Sequence, residues 1–301
     1  MLTKKRIILL IIMAAVLIVA PVLAIFSSRT PAGEGQQMRV LTLWQIDSFE
    51  GGKGSRAKYL QDIADQYFED AHLYVRVTAL SADAARANLS DGNIPDMISY
   101  GAGFYGLESY LNDNCDCINW CRGAYVLITL GGEPDFSSVT PQNTVINAGK
   151  DNLASACALF EGLNGADVAA PTSAYVSLIG GKYKYLLGTQ RDIYRLTTRG
   201  ESFSVKVITS FNDLYQNISI LCGGEDYNYC RQFISCLLQT SEGVESLGLI
   251  SDKTNHTGAM RQLQATTFEY TLNSFIGRDY YDKLTSAVER WDINSLKNLL
   301  K

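Results

Sequence analysis

The stretch from residue 39 to residue 104 constrains this chain more than any other. It reads RVLTLWQIDSFEGGKGSRAKYLQDIADQYFED, passes through a second β-branched run, and closes on PDMISYGAGF. Residues 40–44 form an apolar run of strand length, and the polar, glycine-rich segment 45–54 predicts a turn. Tyr59, Leu60, Ile63, Ala64, Tyr67 and Phe68 recur at the spacing that makes one apolar face, which predicts a helix over 55–72. A strand follows at 73–79, a short helix at 82–89, and a third strand at 97–100 after Pro95-Asp96. Strand alternating with helix predicts an α/β fold with right-handed crossovers, and such sheets gather ligands at the carboxyl ends of their strands. Those ends carry Trp44, Asp47 and Glu50 from one strand and Tyr100 and Phe104 from another. Aromatic faces shield the C–H surfaces of a sugar from water, and carboxylates accept its hydroxyl protons.

The chain opens Met-Leu-Thr-Lys-Lys-Arg and then runs uncharged from residue 7 to 26, 20 residues in all. That length predicts a hydrophobic helix able to cross a bilayer, with its basic flank on the cytoplasmic side. Two readings stand: a signal peptide cut after Ala24, or an uncleaved membrane anchor. Either places the rest outside the cytoplasm, on the outer face of the cell membrane or secreted. Residues 27–38 (SSRTPAGEGQQM) are small and polar and read as a linker. From residue 39 on, 22 basic residues face 30 acidic ones, a net charge of about −8. An acidic surface without basic clusters argues against nucleic acid as a ligand.

Seven cysteines suit one or two disulfides in an oxidising compartment. Cys115, Cys117 and Cys121 cluster, Cys222, Cys230 and Cys236 form a looser group, and Cys157 stands alone. Several of them equally suit burial as small apolar residues. The C-x-C-x3-C spacing matches no common zinc pair, and His72 and His256 are the only histidines. No metal or cofactor is implied.

Further along, 111–123 (LNDNCDCINWCRG) reads as a crossing segment or lid, with Trp120 in an exposed loop. Strands are expected at 124–130, 185–188, 205–209 and 216–221, and helices at 152–163, at 227–238 and beyond 258. Thr189-Gln190-Arg191-Asp192 reads as a polar turn at a strand end.

Four segments in consistent order carry a resemblance. They are VLTLWQIDSFEGGKG; Asn93-Ile94-Pro95-Asp96-Met97-Ile98-Ser99-Tyr100, similar to a G-x-x-P-D-I-I pattern ending in a cleft aromatic; Gly181-Lys182 followed by YKYLLGTQRD; and FNDLYQNISIL with TSEGVESLGLIS beyond it. The chain resembles the bacterial extracellular solute-binding proteins of ABC importers, in their maltose-binding-protein-like, carbohydrate-binding branch. The resemblance implies a two-lobed, type II-like periplasmic-binding-protein fold, with lobe one from 39–110 plus 217–254 and lobe two from 111–216 plus 255–301. It further implies a small-molecule solute in the cleft, permease subunits as partners, and no catalysis. The chain departs from that family in its shortness, in Gly101-Ala102-Gly103 where charged residues follow the cleft aromatic, and in Thr189-Gln190-Arg191 where an aromatic is common.

The candidate ligand residues are Trp44, Asp47, Glu50, Gly51, Gly52, Tyr100, Phe104, Gln190 and Arg191. Each has a structural alternative. Trp44 either stacks on a ligand or packs under a helix. Asp47 and Glu50 either bond hydroxyls or cap the helix that starts near Ser55. Gly51 and Gly52 allow close backbone approach, although GGKGS lacks the G-x4-G-K spacing of a phosphate loop. Gln190 and Arg191 sit where lobe closure brings them over a solute, or Arg191 pairs with a nearby acid. Two other functions compete. One is a glycoside hydrolase built on Asp47 and Glu50, which lie three residues apart on one loop rather than opposed across a bond. The other is a membrane-tethered sensor.

Overall fold

The computed structural model describes residues 39–51, 53–68, 73–111, 117–147, 162–253 and 255–300. The apolar segment 7–26, the linker 27–38, Gly52 and most of the helix expected over 152–163 lie outside them. Among the described residues, no helix is long and apolar enough to cross a membrane.

The first half of the fold grows from β1 (Arg39–Gln45), α1 (Arg56–Phe68), β2 (Leu73–Ala79), α2 (Ala82–Ser90) and β3 (Met97–Gly101). Because side chains alternate across a strand, β1 feeds two apolar layers. Leu41 and Leu43 join Leu60, Ile63 and Ala64 of α1, whereas Trp44 leans on the opposite cluster with Ala85 and Leu89 of α2. β1 and β3 run parallel, with Leu43 beside Met97 and Trp44 beside Ile98. The start of this unit is fixed by Asp96, whose Oδ2 accepts from both the backbone N and the Oγ1 of Thr42, at 2.7 and 2.8 Å.

The chain then adds β4 (Ile118–Arg122) to the same sheet and passes to β5 (Tyr125–Thr129) of a second one. The second half contains β6 (Thr144–Asn147), β7 (Asp167–Ala169), α3 (Pro171–Ile179), β8 (Tyr185–Thr189), α4 (Gln190–Thr198) and β9 (Ser204–Val207). The short β10 (Phe211–Asn212) leads back to β11 (Tyr215–Ile220), which returns to the first sheet. The sheet orders are β2-β1-β3-β11-β4 and β7-β6-β8-β5-β9. Each has its second, first and third strands side by side, then an antiparallel strand received from the crossing, then an edge strand. The halves therefore share one topology and exchange their fourth strands.

The two crossings are tied together. Gly123 N donates to Leu214 O at 2.6 Å, Asn212 Nδ2 to Gly123 O at 3.2 Å, and the Tyr125 hydroxyl to Asp213 Oδ1 at 2.7 Å. One apolar cluster also runs through both halves, from Leu43 and Phe233 to Leu127 and Leu187. α5 (Gly224–Gln239) covers the first sheet, and α6 (Gly258–Gln264) packs Leu263 into the second half's core. β12 (Tyr270–Thr271) pairs with β10, and α7 (Arg278–Glu289) and α8 (Ile293–Leu299) end the described chain.

Two sequence expectations change. Residues 118–122 are a strand rather than a lid, paired antiparallel with β11 across a bulge between Gln216 and Asn217. Trp120 is accordingly buried at 3% exposure; its indole N–H donates to Ser99 Oγ at 3.0 Å and its ring stacks on Tyr59. Residues 190–192 begin a helix rather than a turn. β4 is the edge strand of the first sheet, and β5 belongs to the second. The start of α7 bonds the first half, with Arg278 N donating to Glu108 Oε1 at 3.0 Å.

Candidate functional site

The loop after β1 is held from below by α1. Arg56, the first residue of that helix, is buried; one guanidinium nitrogen lies 3.1 Å from Asp47 Oδ1, another donates to Phe49 O at 2.8 Å, and the group covers the Phe49 ring. Gln45 Nε2 adds a bond to Asp47 Oδ1 at 2.9 Å. Gln216 of β11 secures the other side, donating to Ile46 O at 2.9 Å and Ser99 Oγ at 3.1 Å. A Cβ at Gly101 would lie 1.8 Å from Ser48 Oγ and 2.7 Å from Tyr215 O, so the loop sits this close to β3 only because residue 101 has no side chain.

From the second half, β8 runs directly into α4. Asp192 is fully buried beneath the first turn and accepts from Thr189 N at 3.1 Å, as the third helical residue does in a capping box. It also accepts from Asn147 Nδ2, at the end of β6, at 2.9 Å. Burial pushes its carboxyl above the usual range, opposed by these two bonds and by Arg195 and Arg191. The brace fixes the two residues before it. Gln190, at 0% exposure, accepts from Ala124 N at 3.1 Å at the crossing and donates to Glu50 O at 3.1 Å. Arg191 forms an ion pair with the Glu50 carboxylate. Its guanidinium pKa is lowered by burial and by Arg195, against Asp192.

Three expected site residues thus meet: Glu50 from one half with Gln190 and Arg191 from the other. Gly51 stands beside them, but the position of its missing Cβ faces Leu247 O at 3.3 Å. Gly52 lies outside the described residues. The aromatic candidates go elsewhere. Tyr100 is 0% exposed, with its hydroxyl on Ser219 Oγ at 3.0 Å and its ring between Phe104 and Phe275. It offers no free face in this conformation, because the cluster over α2 takes the whole ring. Trp44 is half-buried against the same cluster.

Asp47 borders a separate cavity of about 420 Å³ at the carboxyl ends of β1, β2 and β3. Ser48, Asp83, Arg86, Phe104, Tyr105 and Tyr281 also line it. Tyr105 lies under the guanidinium of Arg86 at 4.4 Å and faces that of Arg278 at 5.4 Å, while Arg86 pairs with Asp83 at 2.5 Å. Sequence reasoning missed Arg86 and Tyr281. Arg86 sits on a short helix that the sequence reading gives no functional residue, and Tyr281 reaches the site from a helix with no sequence signal linking it to residue 105. Among the described residues, no group of three His, Cys, Asp or Glu is placed to hold a metal.

No family model matches the sequence, and no curated protein is detectably similar to it. Solved structures do resemble it. The sugar-binding protein MalE from Xanthomonas citri aligns with a TM-score of 0.60 at 11% identity, over 86% of this chain and 95% of its own. Iron-bound HitA from Pseudomonas aeruginosa aligns at 0.54 and 12% identity, over 84% and 99%. The GacH receptor of Streptomyces glaucescens, solved unliganded and with acarbose, aligns at 0.53 and 11%, over 86% and 93%. The fold is that of the periplasmic solute-binding proteins. At these identities the likeness concerns architecture, and the ligands of the three proteins differ. Within this fold, the contact of Glu50 with Gln190 and Arg191 joins the two halves, and the strand-end cavity is lined by the first half and Tyr281.

Proposed function

We propose that this chain is a non-catalytic receptor that binds a small solute outside the cytoplasm and delivers it to the permease subunits of an ABC importer. The observation that carries this reading is the meeting of the loop after β1 with the start of α4, across two halves that exchange strands. A solute bound where such halves meet favours the closed arrangement, because both contact it only there. The non-catalytic reading is supported by the state of the carboxylates: Asp47 is tied to Arg56 and Glu50 to Arg191, so neither is placed as a free acid or base opposite the other.

For the solute we propose a carbohydrate that the first half holds at its strand-end cavity, against Tyr281, and that the second half reaches only on closing. Its volume of about 420 Å³ falls within the range of small-molecule sites, ~300–1,000 Å³. Its walls combine tyrosine rings with Asp47, Asp83 and Arg86, the mixture that serves C–H faces and paired hydroxyls. Attachment to the membrane through residues 7–26, as anchor or before cleavage, belongs to the same reading. The test is a melting-temperature screen of the purified chain against mono-, di- and oligosaccharides. A binder at one hundred times its Kd stabilises by about 2.7 kcal/mol, a rise of roughly 5–10 °C. Product release from a labelled oligosaccharide would sink the receptor reading, and a flat response to every sugar would sink the carbohydrate assignment.

A further inference from the structure

Cys222 and Cys230 bracket a sharp reversal between the end of β11 and α5. The backbone N–H groups of Leu221 and Cys222 both donate to Asp96 O, at 2.8 and 3.4 Å, which fixes Cys222 to the end of the first sheet. Gly223 and Gly224 then turn the chain, with Gly224 at φ 67°, a left-handed conformation that side chains resist. The helix that follows carries Cys230 back over the strand end, where it is wholly buried among Phe233, Ile234 and Leu237. The two Sγ atoms stand 3.5 Å apart, both as free thiols.

From this geometry we infer that Cys222 and Cys230 are a redox modification site, a dithiol that thiol–disulfide exchange converts into a disulfide stapling the end of β11 to α5. The sulfurs need to approach from 3.5 Å to a bond length of about 2.05 Å, and the turn between them is their only covalent connection. The oxidant is a low-molecular-weight disulfide or the disulfide of a thiol oxidoreductase. Half-buried Cys222 is the point of entry, because Cys230 has no exposed surface. The Cys222 thiolate attacks the oxidant's disulfide, giving a mixed disulfide and one free oxidant thiol. Cys230, on losing its proton to solvent, attacks Cys222 Sγ and expels the second oxidant thiol. Two electrons pass to the oxidant: two protein S–H bonds and one oxidant S–S bond become one protein S–S bond and two oxidant S–H bonds. Burial raises both thiols above the usual range, so the exchange speeds up with pH and the closed pair resists attack from outside. Nothing in this depends on a bound solute.

The test uses the full chain, reduced, freed of reductant and exposed to oxidised glutathione, followed by alkylation under native conditions and peptide mass mapping. The expected result is loss of two alkylatable thiols, at Cys222 and Cys230 together, with a peptide lighter by two hydrogens until it is reduced. In Cys222→Ser, Cys230 should stay reduced and carry no glutathione. Alkylation of both residues after treatment, glutathione remaining on Cys222 of the unsubstituted chain, or either sulfur bonded to a different cysteine would each overturn the assignment. The unsubstituted chain decides the matter even where a variant fails to fold.

Discussion

The two halves share a strand order but spend their strand ends differently. In the first half, the rings at the ends of β1 and β3 sink inward. Tyr100 and Phe104 are buried, Trp44 is half-buried, and a cavity lined by shorter polar groups and later tyrosines opens beside them. In the second half, β8 leads without a loop into α4, and its first two residues reach across to Glu50. The difference follows from what each side chain gains. Burying a large ring is worth about 1.5–3 kcal/mol, so an aromatic near a core is drawn into it. A glutamine or arginine gains nothing there without partners and stays where partners are, at the junction. A polar residue at a strand end is therefore a better guide to a junction than an aromatic one.

The largest expected effect tests the first half of that comparison. Tyr100→Ala should cost about 3–5 kcal/mol in urea unfolding, as other fully buried rings do. Tyr100→Phe should cost only about 1 kcal/mol, the bond to Ser219. If Tyr100→Ala instead left the urea midpoint in place and abolished solute binding, Tyr100 would be a ligand platform and the contrast between the halves would fail.

The second half should respond most strongly at Asp192. Replacing it with alanine removes the acceptor for Thr189 N and Asn147 Nδ2 under α4, with an expected loss of about 2–3 kcal/mol. Its titration gives a sharper signature. Burial raises the folded carboxyl above its unfolded value, so within that window the native state holds a proton that the unfolded state has released. Stability contributed by this site is present at low pH and falls as pH rises from about 4 through the raised value. Asp192→Asn should flatten that slope in urea midpoints measured across the window. An unchanged slope would mean that the bonds from Asn147 and Thr189 keep Asp192 ionised.

Much of the fold was legible because its elements are short and strongly patterned. Residues 73–79 and 97–100 read as strands from β-branched and apolar runs, and 82–89 as a helix. What escaped was set at long range. β4 is preceded by an Asn-, Asp- and Cys-rich stretch that looks like a loop, and it becomes a strand by pairing with β11 nearly a hundred residues later. The start of α4 looked like a turn because its capping carboxylate, Asp192, belongs to the same polar run as Gln190 and Arg191. The site divided in the same way. Glu50, Gln190 and Arg191 carry partners that a sequence can suggest, whereas Tyr281 meets Tyr105 only through packing of the C-terminal helices.

The smallest effect on stability concerns the contact between the halves. The Arg191–Glu50 pair is partly exposed on both sides, so Arg191→Gln should shift global unfolding by about 1 kcal/mol or less. Its effect should concentrate at the crossing. Gln190, next in sequence, holds Ala124 N and Glu50 O at once, so loosening the start of α4 frees the segment around Gly123 and Ala124. Local opening and global unfolding are separate processes with separate free energies. Amide exchange at Ala124 should therefore quicken several-fold in Arg191→Gln while exchange in the centre of β5 stays at its original rate. Equal acceleration at both places would mean that the pair supports the core generally. No acceleration at either would mean that Gln190 holds the start of α4 in place without the ion pair, which would leave the second half's arginine without the role its position gives it.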